Sequence, residues 1–187
     1  DWLVTAWGQN AGYHTPTPAV SAIEELAERW LLEILDLPAG SSVGFTTGAT
    51  VANATCLAAA RTGVLAKAGW DADADGLFGA PDVHVFVGAD VHSSVLSALQ
   101  LIGFGYNRLT KVVTDDQGRM LPDALEREIA SRAGPKIVIA QAGQINTGDF
   151  DPFPEIVEIG RRHDAWVHVD GAFGLWARAT TSHKHLT

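Results

Sequence analysis

The chain has 187 residues, 47% hydrophobic and 19% charged, the balance of a globular domain with its own core and not of a disordered segment. Its formal net charge is −9, from 13 basic and 22 acidic residues, and no Lys/Arg cluster stands out, so a nucleic-acid partner is not expected. Cys56 is the only cysteine, which excludes an intrachain disulfide and points to a reducing, cytoplasmic setting; no segment reads as a signal peptide or a membrane span.

The opening, 1–18, carries Gly8, Gly12, Pro16 and Pro18 and reads as an irregular lead-in. The remainder, 19–187, reads as one domain. Ala19 to Leu37 has helical spacing, with Ile23, Leu26, Trp30, Leu31 and Ile34 on one face. Ser21 followed by Glu24 is a capping-box pattern, and Pro38-Ala39-Gly40 ends the helix. Val43 to Thr50 predicts a short strand that breaks into a small-residue turn, and Val51 to Ala68 an Ala-rich helix. Strands are then expected at Asp82–Gly88, Lys111–Thr114, Lys136–Gly143 and Trp166–Asp170, and helices at His92–Leu101, Pro122–Arg132 and Phe153–His163. Strand and helix alternate throughout, which predicts an α/β fold with a doubly wound, mostly parallel sheet. Asp1 and Thr187 both read as cuts in a longer protein.

Four segments carry candidate chemistry. Thr46 to Thr50 lies between strand and helix, where outward-pointing N–H groups and the hydroxyls of Thr47 and Thr50 form an anion cradle in principle; an ordinary capped helix start is the plainer alternative. His92 ends a strand and opens a helix. A neutral imidazole there suits stacking on a flat ring, although a packed or capping His explains the position equally well. Gln144, Asn146 and Thr147 leave another strand at the same edge. Asp170 ends an apolar strand at the carboxyl edge of the sheet, where open α/β folds put their ligands; a carboxylate there can grip a hydroxyl, a metal or a protonated ring nitrogen. His168 shares its face by strand periodicity. The run Asp71, Asp73, Asp75, Gly76 and Asp82 approaches a calcium loop, but Asp82 replaces the long bidentate Glu, Pro81 blocks the exit helix and a strand follows, so a solvated acidic loop is the reading taken.

The stretches Phe45-Thr46-Thr47-Gly48-Ala49-Thr50-Val51-Ala52-Asn53, His92-Ser93-Ser94-Val95, Ala142 to Pro152 and His168-Val169-Asp170-Gly171-Ala172, in that order, resemble the group II pyridoxal-phosphate-dependent decarboxylases of fold type I, the aspartate aminotransferase superfamily. The resemblance implies an incomplete large cofactor-binding domain, a homodimer, and decarboxylation of an L-amino acid to an amine. It implies that Ala49 and Thr50 hold the phosphate of pyridoxal 5'-phosphate and that His92 stacks on the ring. Ala172 would lie against the other face, Asp170 would pair with the ring nitrogen, and Asn146 would line the pocket with its neighbours. Thr50 and Val51 stand where Ser and an acid are common, and Gln144-Ile145 where many members have a Thr pair.

The family also needs a Schiff-base lysine, usually after a His. Ser182-His183-Lys184 has that local pattern, but Lys184 follows Asp170 by only 14 positions, too few for the usual path, so the lysine is expected beyond Thr187. Another fold-type-I reaction (an aminotransferase or a carbon–sulfur lyase) and a non-catalytic fragment are the alternatives.

Overall fold

The computed structural model describes Ala6, Asn10 and residues 12–187; most of the predicted lead-in, Gly8 included, lies outside them. The chain divides into two compact units, 1–45 and 46–187. The boundary between them falls after Phe45.

In the first unit, helix α1 spans Pro18–Ile34. Its start differs from the predicted capping box. Ser21 lies inside the helix, and Thr17 at the N-cap turns its hydroxyl back to donate to the carbonyls of Asn10 and Tyr13. The helix stops short of Leu37 because Asp36 adopts a positive φ of 47°, which lets Leu37 N–H close back on the Leu32 carbonyl at 2.9 Å. Its predicted apolar face is largely exposed, with Ile23 at 65% and Trp30 at 56%. No strand forms at Val43–Thr46. Glycine and serine neighbours give this segment little strand preference, and Val43 N–H donates to the Glu28 carboxylate at 3.2 Å instead of to a ladder.

The second unit carries the sheet. Helix α2 (Ala49–Lys67) and the single turn α3 (Ala72–Asp75) precede β1 (His84–Gly88), α4 (Ser93–Leu101) and β2 (Leu109–Val112). Then follow α5 (Pro122–Ala130), β3 (Lys136–Gln141), α6 (Phe153–Arg162) and β4 (Trp166–Asp170), with 3₁₀ turns at Gly174–Ala179 and Lys184–Leu186. The four strands are all parallel, in the order β2-β1-β3-β4. Strand β2 begins earlier than the predicted Lys111, because Leu109 and Thr110 pair with Val85 and Phe86, while Thr114 has already turned into an antiparallel bridge with Met120.

Strand alternation sorts the core into two layers. Val85, Val87, Ile137 and Ile139 face Leu57, Ala60 and Val64 of α2 and Val95, Ala98 and Leu99 of α4. Phe86, Val112, Val138 and Ala140 face Leu125 and Ile129 of α5 and Ile156 and Ile159 of α6. Helices thus cover both faces, the doubly wound arrangement, and each fully buried Leu or Ile contributes about 1.5–3 kcal/mol. The chain leaves β1 toward β2 and returns to the other side of β1 as β3. The carboxyl ends of β1 and β3 therefore flank a topological switch point, where such sheets open a crevice. Strand β4 is an edge, with Trp166 at 42% and Val169 at 41% exposure.

The acidic run at Asp71 is used locally. Asp71 caps α3 by accepting from Asp73 N–H at 3.0 Å and Ala74 N–H at 3.1 Å.

Candidate functional site

A cleft of about 390 Å³ opens at the carboxyl edge of the sheet. Ala49, Thr50, His92, Asp170 and Ala172 all line it, so the structure brings together five of the six residues singled out from sequence. Ile145, Ala142 and Phe173 supply its apolar wall.

Helix α2 opens the cleft from one side. Its N-cap, Gly48, gives no side-chain cap, so the N–H groups of Ala49 and Thr50 have no internal partner, whereas Val51 N–H donates to the Gly48 carbonyl at 3.1 Å. The Thr46 hydroxyl donates to the Gly48 carbonyl at 3.2 Å and steadies the turn.

His92 is the N-cap of α4. Its Nδ1 accepts the Ser94 N–H at 3.2 Å and lies 2.8 Å from the Ser94 hydroxyl. Nδ1 is thus an acceptor, which puts the ring proton on Nε2. The His92 backbone N–H donates to Gln141 Oε1 at 3.1 Å.

Asp170 is 9% exposed. Its Oδ1 accepts the Ala172 N–H at 3.2 Å, and its Oδ2 accepts the Asn53 side-chain amide at 3.2 Å. His168, one strand repeat earlier on the same face, places Nε2 2.9 Å from Asn53 Oδ1. Burial pushes the His168 ring below the usual histidine range, against the opposing pull of the Asp170 charge. Asn53 sits in the quoted motif but received no role from the sequence. Its signal was one amide on an otherwise Ala-rich helix face, which only the fold turns toward Asp170.

Gln141 is a second residue the sequence left unassigned. It stands opposite Asp170 in the β3–β4 register. Its backbone N–H donates to Asp151 Oδ2 at 2.7 Å, and Asp151 Oδ1 accepts Met120 N–H at 2.7 Å. Burial raises the Asp151 carboxyl above its usual range, while the Met120 and Gln141 amides pull it back.

Asn146 stands apart. It is exposed and does not line the cleft; Ile145 does. The polar trio is turn architecture, because buried Gln144 folds its Oε1 back to accept Asn146 N–H at 2.6 Å and Thr147 N–H at 3.0 Å. Gly143 and Gly174 close this side. Gly174 N–H donates to Ala142 O at 2.8 Å, and a Cβ on Gly174 would stand 2.4 Å from that carbonyl. Lys184 opens the last 3₁₀ turn and is not among the cleft residues, and no lysine lines the cleft among the described residues.

Comparison with known proteins decides what such a cleft belongs to. The family described as pyridoxal-dependent decarboxylase conserved domain matches residues 1–185. The chain belongs to the pyridoxal-dependent decarboxylase family. It is 31% identical over 174 residues to the acidic amino acid decarboxylase GADL1 of Homo sapiens, covering 91% of this chain and 32% of the human protein. It is likewise 31% identical over 176 residues to the L-2,4-diaminobutyrate decarboxylase of Rhizobium meliloti, covering 92% of this chain and 33% of that protein. Among solved structures, that of mouse CSAD in apo form superposes with a TM-score of 0.88 at 27% identity, over 99% of this chain and 39% of the mouse chain. The chain thus spans about a third of the length of the curated relatives it matches, and the fold is part of the fold-type-I decarboxylase architecture.

The cofactor of the pyridoxal-dependent decarboxylases is pyridoxal phosphate, and the cleft residues suit it. An uncapped helix start meets an anion, apolar walls meet a flat ring, and a buried carboxylate at the far end meets a cationic nitrogen. None of the ion pairs among the described residues involves Asp170, so its charge has no resident counter-ion.

Proposed function

We propose that this cleft binds pyridoxal phosphate and that the protein carrying it decarboxylates an L-amino acid to an amine and carbon dioxide. The observation that carries the reading is the convergence of the open α2 start, His92 and Asp170 on one cleft at the switch point of the sheet.

Ala49 and Thr50 receive the phosphate on the first N–H groups of α2, with the Thr50 hydroxyl beside them. His92, held by Gln141 and Ser94, covers one face of the ring, and Ala172 covers the other. Asp170 holds a proton on the ring nitrogen. When bound, the cofactor supplies an electron sink for the pair left on the α-carbon as carbon dioxide departs. Ala142, Ile145 and Phe173 keep the site apolar, which strengthens the pairing of Asp170 with the cationic nitrogen. The residue that would carry the cofactor covalently is not among those lining the cleft.

Two further parts belong to this reading. A homodimer belongs to this reading through the family resemblance. A cytoplasmic setting is supported by the lone thiol of Cys56, and no described helix is long and apolar enough to cross a membrane.

Release of carbon dioxide from a panel of acidic and diamino L-amino acids, with the amine identified, tests the reaction. Asp170→Ala abolishes release while the fold persists. A keto acid in place of the amine identifies an aminotransferase, and full activity in the variant refutes the ring-nitrogen role.

A further inference from the structure

We infer that Asn53 and His168 form an uncharged relay that fixes the orientation of the Asp170 carboxylate and leaves its negative charge to the ligand. The inference rests on the cofactor reading of the cleft for the ligand's identity, but the relay itself is a property of the protein alone.

The chemistry of the three side chains fixes the direction of every hydrogen bond. An ionised carboxylate only accepts, so the Asn53 group facing Asp170 Oδ2 at 3.2 Å is its NH₂. The other end of the Asn53 amide is then its oxygen, which faces His168 Nε2 at 2.9 Å. An oxygen only accepts, so Nε2 carries the proton. All three residues are at most 9% exposed, and strand periodicity gives His168 and Asp170 the same face of β4, opposite α2, from which Asn53 reaches in.

The consequence for Asp170 is electrostatic. A cation within hydrogen-bond reach would satisfy the carboxylate and weaken its pull on a ring nitrogen. A neutral amide steadies Oδ2 without cancelling the charge, and the Ala172 N–H does the same for Oδ1. His168 is the nearest candidate cation along the strand, and burial keeps it neutral. The relay thus turns a titratable ring into a fixed donor. His168 is a positioning residue that acts through Asn53, and Asn53 is a positioning residue that acts on Asp170.

Two measurements on the full chain test this. The first needs no cofactor: ¹⁵N NMR of histidine-labelled protein at about pH 7 reads the His168 tautomer. A neutral ring protonated at Nε2 is expected; a proton on Nδ1 or an imidazolium overturns the relay. The second titrates ring-¹⁵N-labelled pyridoxal phosphate into wild-type protein and into Asn53→Leu, His168→Leu and His168→Gln. Loss of a partner one step behind a ligand typically costs about 10–100-fold, and about tenfold weaker binding is expected for Asn53→Leu and His168→Leu, with a ring nitrogen less protonated than in wild type. Gln places an amide N–H where Nε2–H stood, and it recovers affinity and the protonated nitrogen relative to His168→Leu. A merely structural role would leave the nitrogen shift of the bound fraction unchanged, and that result also overturns the relay. Should Asn53→Leu not fold, the His168 pair decides the question. If wild-type protein takes up no cofactor, the reading of the cleft fails and with it the relay's proposed purpose, while the tautomer still reports on the relay.

Discussion

The backbone N–H of His92 donates to the side-chain oxygen of Gln141, 49 positions later in the chain, at 3.1 Å. Gln141 is also the residue that stands opposite Asp170 across the β3–β4 ladder. One side chain thus ties the residue proposed to cover the ring to the strand that presents the residue proposed to grip its nitrogen. Parallel pairing supplies the coincidence, because residues in register share a face.

Removing that tie is expected to loosen His92 without opening the core. Gln141→Leu keeps the volume and loses the acceptor, so the His92 N–H loses a part-buried partner at a cost of about 1–3 kcal/mol, which lowers cofactor affinity by about 5- to 150-fold where all of it falls on the bound state. A fluorescence titration with pyridoxal phosphate reads the affinity, and unchanged circular dichroism shows that the fold persists.

Asp151 is expected to tolerate no neutral replacement. Both oxygens accept buried backbone N–H groups at 2.7 Å, and an Asn can offer only one acceptor. Asp151→Asn therefore sets an NH₂ against an N–H and lowers unfolding free energy by about 1–3 kcal/mol in urea.

Gly174→Ala is expected to destabilise as well. The added methyl meets the Ala142 carbonyl at 2.4 Å and the Phe150 ring at 2.6 Å, and the first of these is backbone that cannot rotate away. Overpacking of this kind costs about 1–3 kcal/mol or more, read as a lower urea midpoint. The shift also moves the Ala142 wall, so cofactor affinity falls alongside stability.

His168 gives the protein an acid limb. Its folded pKa is lowered by burial, and an unfolded histidine titrates near about 6.5. The unfolded chain then binds the proton more readily, so this contribution to stability is fully present above about pH 6.5 and is lost as pH falls toward the lowered folded value. Asp151 works in the opposite sense: its folded pKa is raised, so stability falls as pH rises through the window above the usual carboxylate range. Urea unfolding of wild type and His168→Gln at about pH 5 and about pH 7.5 separates them, since the variant flattens the histidine limb alone.

Much of this arrangement was legible in the sequence where periodicity and strand ends speak directly. The strands ending at Gly88 and Asp170 stop where the apolar spacing predicts, β3 stops at Gln141, two residues short of the expected Gly143, and Ala49, Thr50, His92, Asp170 and Ala172 meet in one cleft. Where the reading failed, a contact set by tertiary structure outweighed a local pattern. Ser21-Glu24 has the spacing of a capping box, yet Thr17 holds the N-cap through carbonyls upstream. Val43–Thr46 has two apolar residues but finds no ladder. The polar side chains at 144–147 resemble a ligand shell, yet Gln144 spends its oxygen on its own turn. Asn53 and Gln141 were invisible for the complementary reason. An amide in an Ala-rich helix and another at a strand end carry no periodic signal, and their partners lie 117 and 49 positions away.

Whether Asp170 holds a cationic ring nitrogen is read by comparing the binding of pyridoxal phosphate to wild-type protein and to Asp170→Ala. At least about tenfold weaker binding is expected in the variant, the cost of losing a charge-assisted hydrogen bond, with loss of the protonated ring nitrogen by ¹⁵N NMR; equal affinity with an unchanged nitrogen signal would show that Asp170 does not hold that nitrogen.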